Sequence, residues 1–81
     1  MEERLLNRIE INPDVMLGKP VIKGTRITVE LILKKLAQNI PEVEIVADYP
    51  KLKREDIQAA IAYAATALST EDIFQIEAVA V

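Results

Sequence analysis

Residues 18–28 read GKPVIKGTRIT and hold both glycines of the 81-residue chain. They also hold Lys19, Lys23 and Arg26, three of its ten basic residues. Two short β-branched runs, Pro20-Val21-Ile22 and Arg26-Ile27-Thr28, flank Lys23-Gly24-Thr25. Glycine at the tip supplies the positive φ that a tight hairpin turn needs. The stretch therefore predicts a β-hairpin that projects Lys23 and Arg26 from a rigid support. A phosphate-binding loop is the rival reading and fails on spacing. No glycine precedes Gly18-Lys19, Pro20 follows them, and Gly18 to Gly24 does not fit G-x-G-x-x-G.

Upstream, Arg8-Ile9-Glu10-Ile11 alternates polar and apolar residues and is read as a candidate third strand. Asn12-Pro13-Asp14 is a turn signal, with a fixed φ at proline and side-chain acceptors on either side.

Downstream, Val29, Ile32, Leu33, Leu36, Ala37 and Ile40 have the spacing of one apolar helix face. Thr28 is the expected N-cap, and Asn39 followed by Pro41 ends the helix. A short second helix is expected over about 42–48, with Ile45, Val46 and Tyr49 inward and Pro50 as its stop. A third begins near Lys53, with Ile57, Ala60, Ile61, Ala64 and Leu68 as its buried stripe. Pro41 and Lys53 are poor caps, because neither side chain offers an acceptor oxygen. Ile40/Ile45 and Leu52/Ile57 have the spacing of hydrophobic staples. The fold class is thus mainly α, three helices in helix-turn-helix order preceded by a small β-hairpin. One domain spans residues 1–68. Residues 69–81 form a C-terminal tail, a partner-binding or dimer-swapped segment.

Composition narrows the chemistry. Cysteine and histidine are absent, which removes disulfides, thiolate and histidine-zinc sites, and histidine-based catalysis. The neighbouring carboxylates Glu55/Asp56 and Glu71/Asp72 diverge by about 100° on a helix and suit helix N-termini better than a shared catalytic site. No catalytic residue, metal site or cofactor is expected, and the chain is not read as an enzyme. Apolar residues make up 51% of it, and Tyr49, Tyr63 and Phe74 are its only aromatics. The core must be aliphatic. A core this small leaves apolar surface outside it, so a homodimer is expected. No apolar run suits a signal peptide or membrane span, and the expected location is cytoplasmic.

Charge is divided along the chain. Residues 1–54 carry all ten basic and eight acidic residues, a balance of +2, whereas residues 55–81 carry five acidic residues and no basic one. The division reads either as ordinary solvated surface or as two unlike partner surfaces. For double-stranded DNA, the candidate contacts are Lys23, Arg26, Lys51, Lys53 and Arg54 for phosphates, with Gln58 able to pair with adenine. Glu55, Asp56 and the acidic net charge of −3 count against it. In the tail, Glu71, Asp72, Ile73, Phe74 and Ile76 are the candidate partner-binding residues.

The runs NPDVMLGKPVIKGTRITVELIL, from residue 12, and ADYPKLKREDIQAAIAYAA, from residue 47, resemble domain-of-unknown-function family 433. The shared pattern is N-P-x-x-x-x-G-K-P-x-I-x-G-T-R-I, a helix, then Y-P-x-L-x-x-x-D-I-x-A-A. The resemblance covers roughly residues 8–66. It implies a homeodomain-like helix-turn-helix and an antitoxin role beside a PIN-like nuclease toxin, with a dimer that binds its operator and masks the toxin. Among the matching positions, Lys19 and Arg26 are the polar residues with no evident structural duty. The chain departs from the pattern at Asn39, Pro41 and Lys53, where glycine, serine and threonine are usual. The alternative reading is a protein-interaction module that does not bind DNA.

Overall fold

The computed structural model describes residues 2–69, in which a small antiparallel β-sheet precedes a helical core. The elements are helix α1 (Glu2–Leu6), strands β1 (Ile9–Glu10) and β2 (Val21–Ile22), and helices α2 (Val29–Ala37), α3 (Glu42–Asp48) and α4 (Arg54–Ser69). Among the described residues, no helix is long and apolar enough to cross a membrane. Tail residues Glu71, Asp72, Ile73, Phe74 and Ile76 lie outside the described residues.

The sheet is built around β2. Ile9 faces Ile22 and Glu10 faces Val21 across the β1–β2 pair. The strand expected as an optional third member is therefore the principal partner. The arm expected to form the hairpin is shorter: Val21 pairs with Thr28 in a single bridge. The Ile22 N–H donates to the Ile27 carbonyl at 2.9 Å, and the Val29 N–H to the Pro20 carbonyl at 2.9 Å. Thr28 leaves the sheet at once because it caps α2, accepting a hydrogen bond from the Leu31 N–H at 3.0 Å. The turn closes through Thr25, whose hydroxyl donates to the Ile22 carbonyl and accepts from the Ile27 N–H. Gly24, at φ +78°, completes the turn as its composition requires.

Between the strands, Asn12 accepts hydrogen bonds from the Asp14 N–H through its side chain and from the Val15 N–H through its carbonyl. Met16, Leu17 and Gly18 then have φ of +49°, +59° and +80°, making one left-handed turn. Leu17 is 94% exposed at its apex.

Helix ends follow local chemistry. At the end of α2, Asn39 is left-handed (φ +63°). Its N–H donates to Leu36 and the Ile40 N–H to Lys35, the Schellman pattern. Pro41 caps α3 without a side-chain hydrogen bond. Lys53 likewise offers no side-chain oxygen, and Asp56 replaces it: its Oδ2 accepts from the Lys53 N–H at 2.9 Å. This is the returning half of a capping box. The other Asp56 oxygen accepts from the Arg8 guanidinium at 3.0 Å. Asp56 is buried, so one carboxylate joins the base of β1 to the start of α4.

The core is aliphatic, as composition requires. Ile22, Val29, Ile32, Ile45, Leu52, Ile57 and Ala60 form its buried cluster, with Ile40, Val46, Tyr49 and Tyr63 packed around it. Both staple pairs belong to this set. The inward face of α4 differs from expectation. Asp56, Ile57, Ala59 and Ala60 are buried, whereas Ile61 and Leu68 are 45% and 56% exposed. The helix is rolled toward Asp56 and Ala59 because α1 packs on that flank and Arg8 draws Asp56 inward. Periodicity could not reveal α1, a five-residue helix with too few residues to show a stripe.

Asp56→Ala is expected to destabilise the fold by about 2–3 kcal/mol, through the lost cap and an unpaired Arg8. Arg8→Ala, which leaves the buried Asp56 carboxylate without its counter-charge, is expected to cost at least as much, about 3 kcal/mol. Urea unfolding of both variants checks the order.

Candidate nucleic-acid interface

The helix-turn-helix is α3, the turn from Tyr49 to Lys53, and α4. The turn is tied at both ends: the Tyr49 N–H donates to Ile45 and the Leu52 N–H to Tyr49, at 3.2 and 2.8 Å. Leu52 is buried against the core, and this forces its neighbours Lys51 and Lys53 outward. Alternation in the turn thus presents cations as a direct result of anchoring one leucine.

All six residues expected to contact DNA are exposed. Arg26 and Lys51 line one open groove with Thr25, Ile27, Tyr49 and Pro50, so the β2–α2 turn and the helix-turn-helix turn meet there. Lys53 and Arg54 follow at the start of α4, with Gln58 one turn on. Lys23 does not join this groove. Its N–H donates to the Arg8 carbonyl, and its side chain is exposed at the hairpin tip. Among the described residues, Lys23, Arg26, Lys51 and Lys53 form no ion pair.

Arg54 is engaged differently. Its Nε lies 3.4 Å from Glu42 Oε1, an ionic contact between α4 and α3. That oxygen has no aligned hydrogen-bond donor, so the pair is Coulombic in character. With Arg54 largely in solvent, it is weak. Of the two acids expected to interrupt the cations, only Glu55 does so, since Asp56 is buried and committed to Arg8 and the Lys53 N–H.

Lys19, which has no evident structural duty in the sequence, has one in the fold. It reaches Glu30 at 3.1 Å, and Lys34 reaches the other Glu30 oxygen at 3.2 Å. The Lys19 hydrogen bond, followed by that of Lys34, lowers the Glu30 pKa from its ordinary value. A depressed carboxylate pKa contributes stability at pH above the unfolded value, and the contribution fades as pH falls through the folded one. Lys35 places its ammonium 5.6 Å from the centre of the Tyr49 ring, where a cation is attracted to the aromatic face. The Lys34–Glu30 spacing was legible as an i,i+4 pair, whereas the Lys19 contact needed the sheet to bring it to α2.

The β-hairpin motif, the left-handed turn and the Leu52 anchor all fall within residues matched by one protein family, described as "Protein of unknown function (DUF433)", over residues 9–64. The chain belongs to the DUF433 family. The match runs from β1 into α4, and so contains the whole candidate interface. A crystal structure of a DUF433 member from Anabaena variabilis is similar to this chain, with 38% identity and a TM-score of 0.71. The similarity covers 79% of this chain and 63% of that one, so the chain spans less than two thirds of that protein. No functionally curated protein matches.

Gly24 lines the groove beside Arg26, and a Cβ built there would meet nothing within 4 Å. Gly24→Ala is nevertheless expected to lower stability by about 1–2 kcal/mol, because its φ of +78° strains an L-residue. Thermal unfolding of the variant separates this backbone cost from a steric one.

Proposed function

We propose that this DUF433 protein is antitoxin-like. In this reading it contacts operator DNA through its helix-turn-helix and neutralises a PIN-like nuclease toxin. The observation that carries the DNA half is the grouping of Arg26, Lys51, Lys53, Arg54 and Gln58 around the start of α4. Cations there can hold phosphates while the first turns of a recognition helix enter the major groove, where Gln58 has the donor–acceptor pair that adenine requires. Burial of Asp56 supports the same reading, since it removes one negative charge from the surface that phosphates would approach. The toxin half rests on the family resemblance and on the acidic, apolar composition of residues 71–76.

A second reading, an interaction module without DNA contact, is favoured by two observations. Glu42 already engages Arg54, and the chain is acidic overall.

Gel-shift measurements with the DNA upstream of the gene decide between them. Under the first reading, Arg26→Ala, Lys51→Ala and Lys53→Ala each weaken binding to all sequences. Each also reduces the slope of log K against log salt by about 0.9. Gln58→Ala instead relaxes discrimination at one base pair, by about 1–3 kcal/mol. Absence of binding at low salt, with the protein alone or with the product of the adjacent gene, selects the second reading. Co-purification of that product, lost on truncation before Ser69, tests the toxin half.

A further inference from the structure

The connection between β1 and β2 holds a leucine that neither the backbone nor the core calls for. Leu17 has φ +59° and ψ +30°, the left-handed region in which any side chain crowds the following carbonyl. Met16 before it, at φ +49°, is strained in the same way. Two hydrogen bonds hold the turn, from the Gly18 N–H to the Val15 carbonyl at 3.0 Å and from the Lys19 N–H to the Met16 carbonyl at 3.1 Å. The Leu17 side chain is 94% exposed, so burial offsets none of the strain. A lone exposed leucine is ordinary, but an exposed leucine on a strained backbone is not. Glycine would relax the backbone at this position, and a polar residue would suit the water.

The residues around it narrow what it can meet. Ile11 and Met16, in the same connection, are exposed at 59% and 43%, and Pro13 is exposed as well. Asp14 is the one charged residue from Ile11 to Gly18. It is exposed, and among the described residues its carboxylate has no partner. Lys19, the next cation along the chain, is held by Glu30. The apex therefore repels a phosphate backbone and suits an apolar surface that carries a positive charge. We infer that Leu17 is a preformed anchor for a protein partner: it enters a leucine-sized apolar pocket on that partner, bordered by a lysine or arginine that meets Asp14.

The choice of partner rests on the toxin half of the reading above. A nuclease must carry cations to hold its nucleic-acid substrate, and these complement an apolar apex whose free charge is a carboxylate. Because its own hydrogen bonds hold the turn before binding, little conformational freedom is lost when Leu17 docks. Burial in the pocket then supplies the apolar transfer that the free chain lacks. Leu17 does not line the groove that holds Arg26 and Lys51, so the anchor and the DNA contacts can be tested apart.

Leu17→Gly distinguishes an anchor from a structural residue, because its two expected effects have opposite signs. In thermal unfolding the variant should melt about 4 °C higher, since strain is relieved and no packing is lost. In titration calorimetry against the purified product of the adjacent gene, it should bind about 10- to 100-fold more weakly, the loss of one buried leucine. Leu17→Met, which keeps an apolar side chain of similar volume, should retain binding. Asp14→Asn should weaken binding about two- to fivefold and reduce its dependence on salt. Equal binding by the wild type and Leu17→Gly, or a Leu17→Gly protein that melts lower, overturns the proposal and leaves the toxin reading in place. A wild type that does not bind the product overturns both. Leu17→Gly that keeps the product but loses DNA in a gel shift assigns the apex to the duplex and overturns the proposal. A change in the mass of the chain alone, measured by light scattering, assigns it to a second copy and does the same.

Discussion

The carboxylate of Asp56 does two tasks that nothing else in the described chain can do. One oxygen closes the start of α4, where Lys53 supplies no acceptor, and the other holds Arg8 at the base of β1. The sheet and the helix-turn-helix are otherwise joined by aliphatic contacts, which are strong but non-directional. A hydrogen-bonded charge pair whose carboxylate is buried adds direction: it sets the roll of α4 about its axis. That roll decides which residues of the longest helix enter the core and which remain outside.

From this roll follow both surfaces of interest. With Asp56 and Ala59 turned inward, Arg54 and Gln58 are turned outward beside Lys51 and Lys53. The same rotation leaves Ile61, Ala65 and Leu68 in solvent at the far end of the helix. The cationic start and the uncharged stretch after it therefore belong to one helix face, and both exist because the opposite face is occupied. Arg26 reaches the same neighbourhood by a different route, through a turn that Gly24 permits and Thr25 closes.

Legibility varied with the range of the interaction. The hairpin turn, the Thr28 cap, the left-handed Asn39 and both staples were visible in the sequence, because each rests on residues a few positions apart. Exposure of the six candidate contact residues was legible for the same reason. Their grouping was not, since Arg26 meets Lys51 only when two distant turns are folded together. Asp56 is instructive. Its spacing from Lys53 marks a returning cap bond, and that much could be read directly. Its burial could not, because burial depends on Arg8, 48 residues away. The same distance explains why the stripe through Ile61 and Leu68 reads as core in the sequence and is exposed in the fold: an apolar periodicity identifies a face but not what packs on it.

The sequence alone determined the aliphatic character of the core, the absence of thiol and imidazole chemistry, the order of the sheet and the three helices after it, and where those three start and stop. These depend on composition and on backbone preferences, which act locally. Tertiary structure decided that β1, rather than residues 26–28, is the main partner of β2, that Lys19 and Lys34 share Glu30, and that α4 turns its charged residue Asp56 inward. Each of these brings together residues far apart in the chain, and only the folded arrangement sets the distances on which their attraction depends.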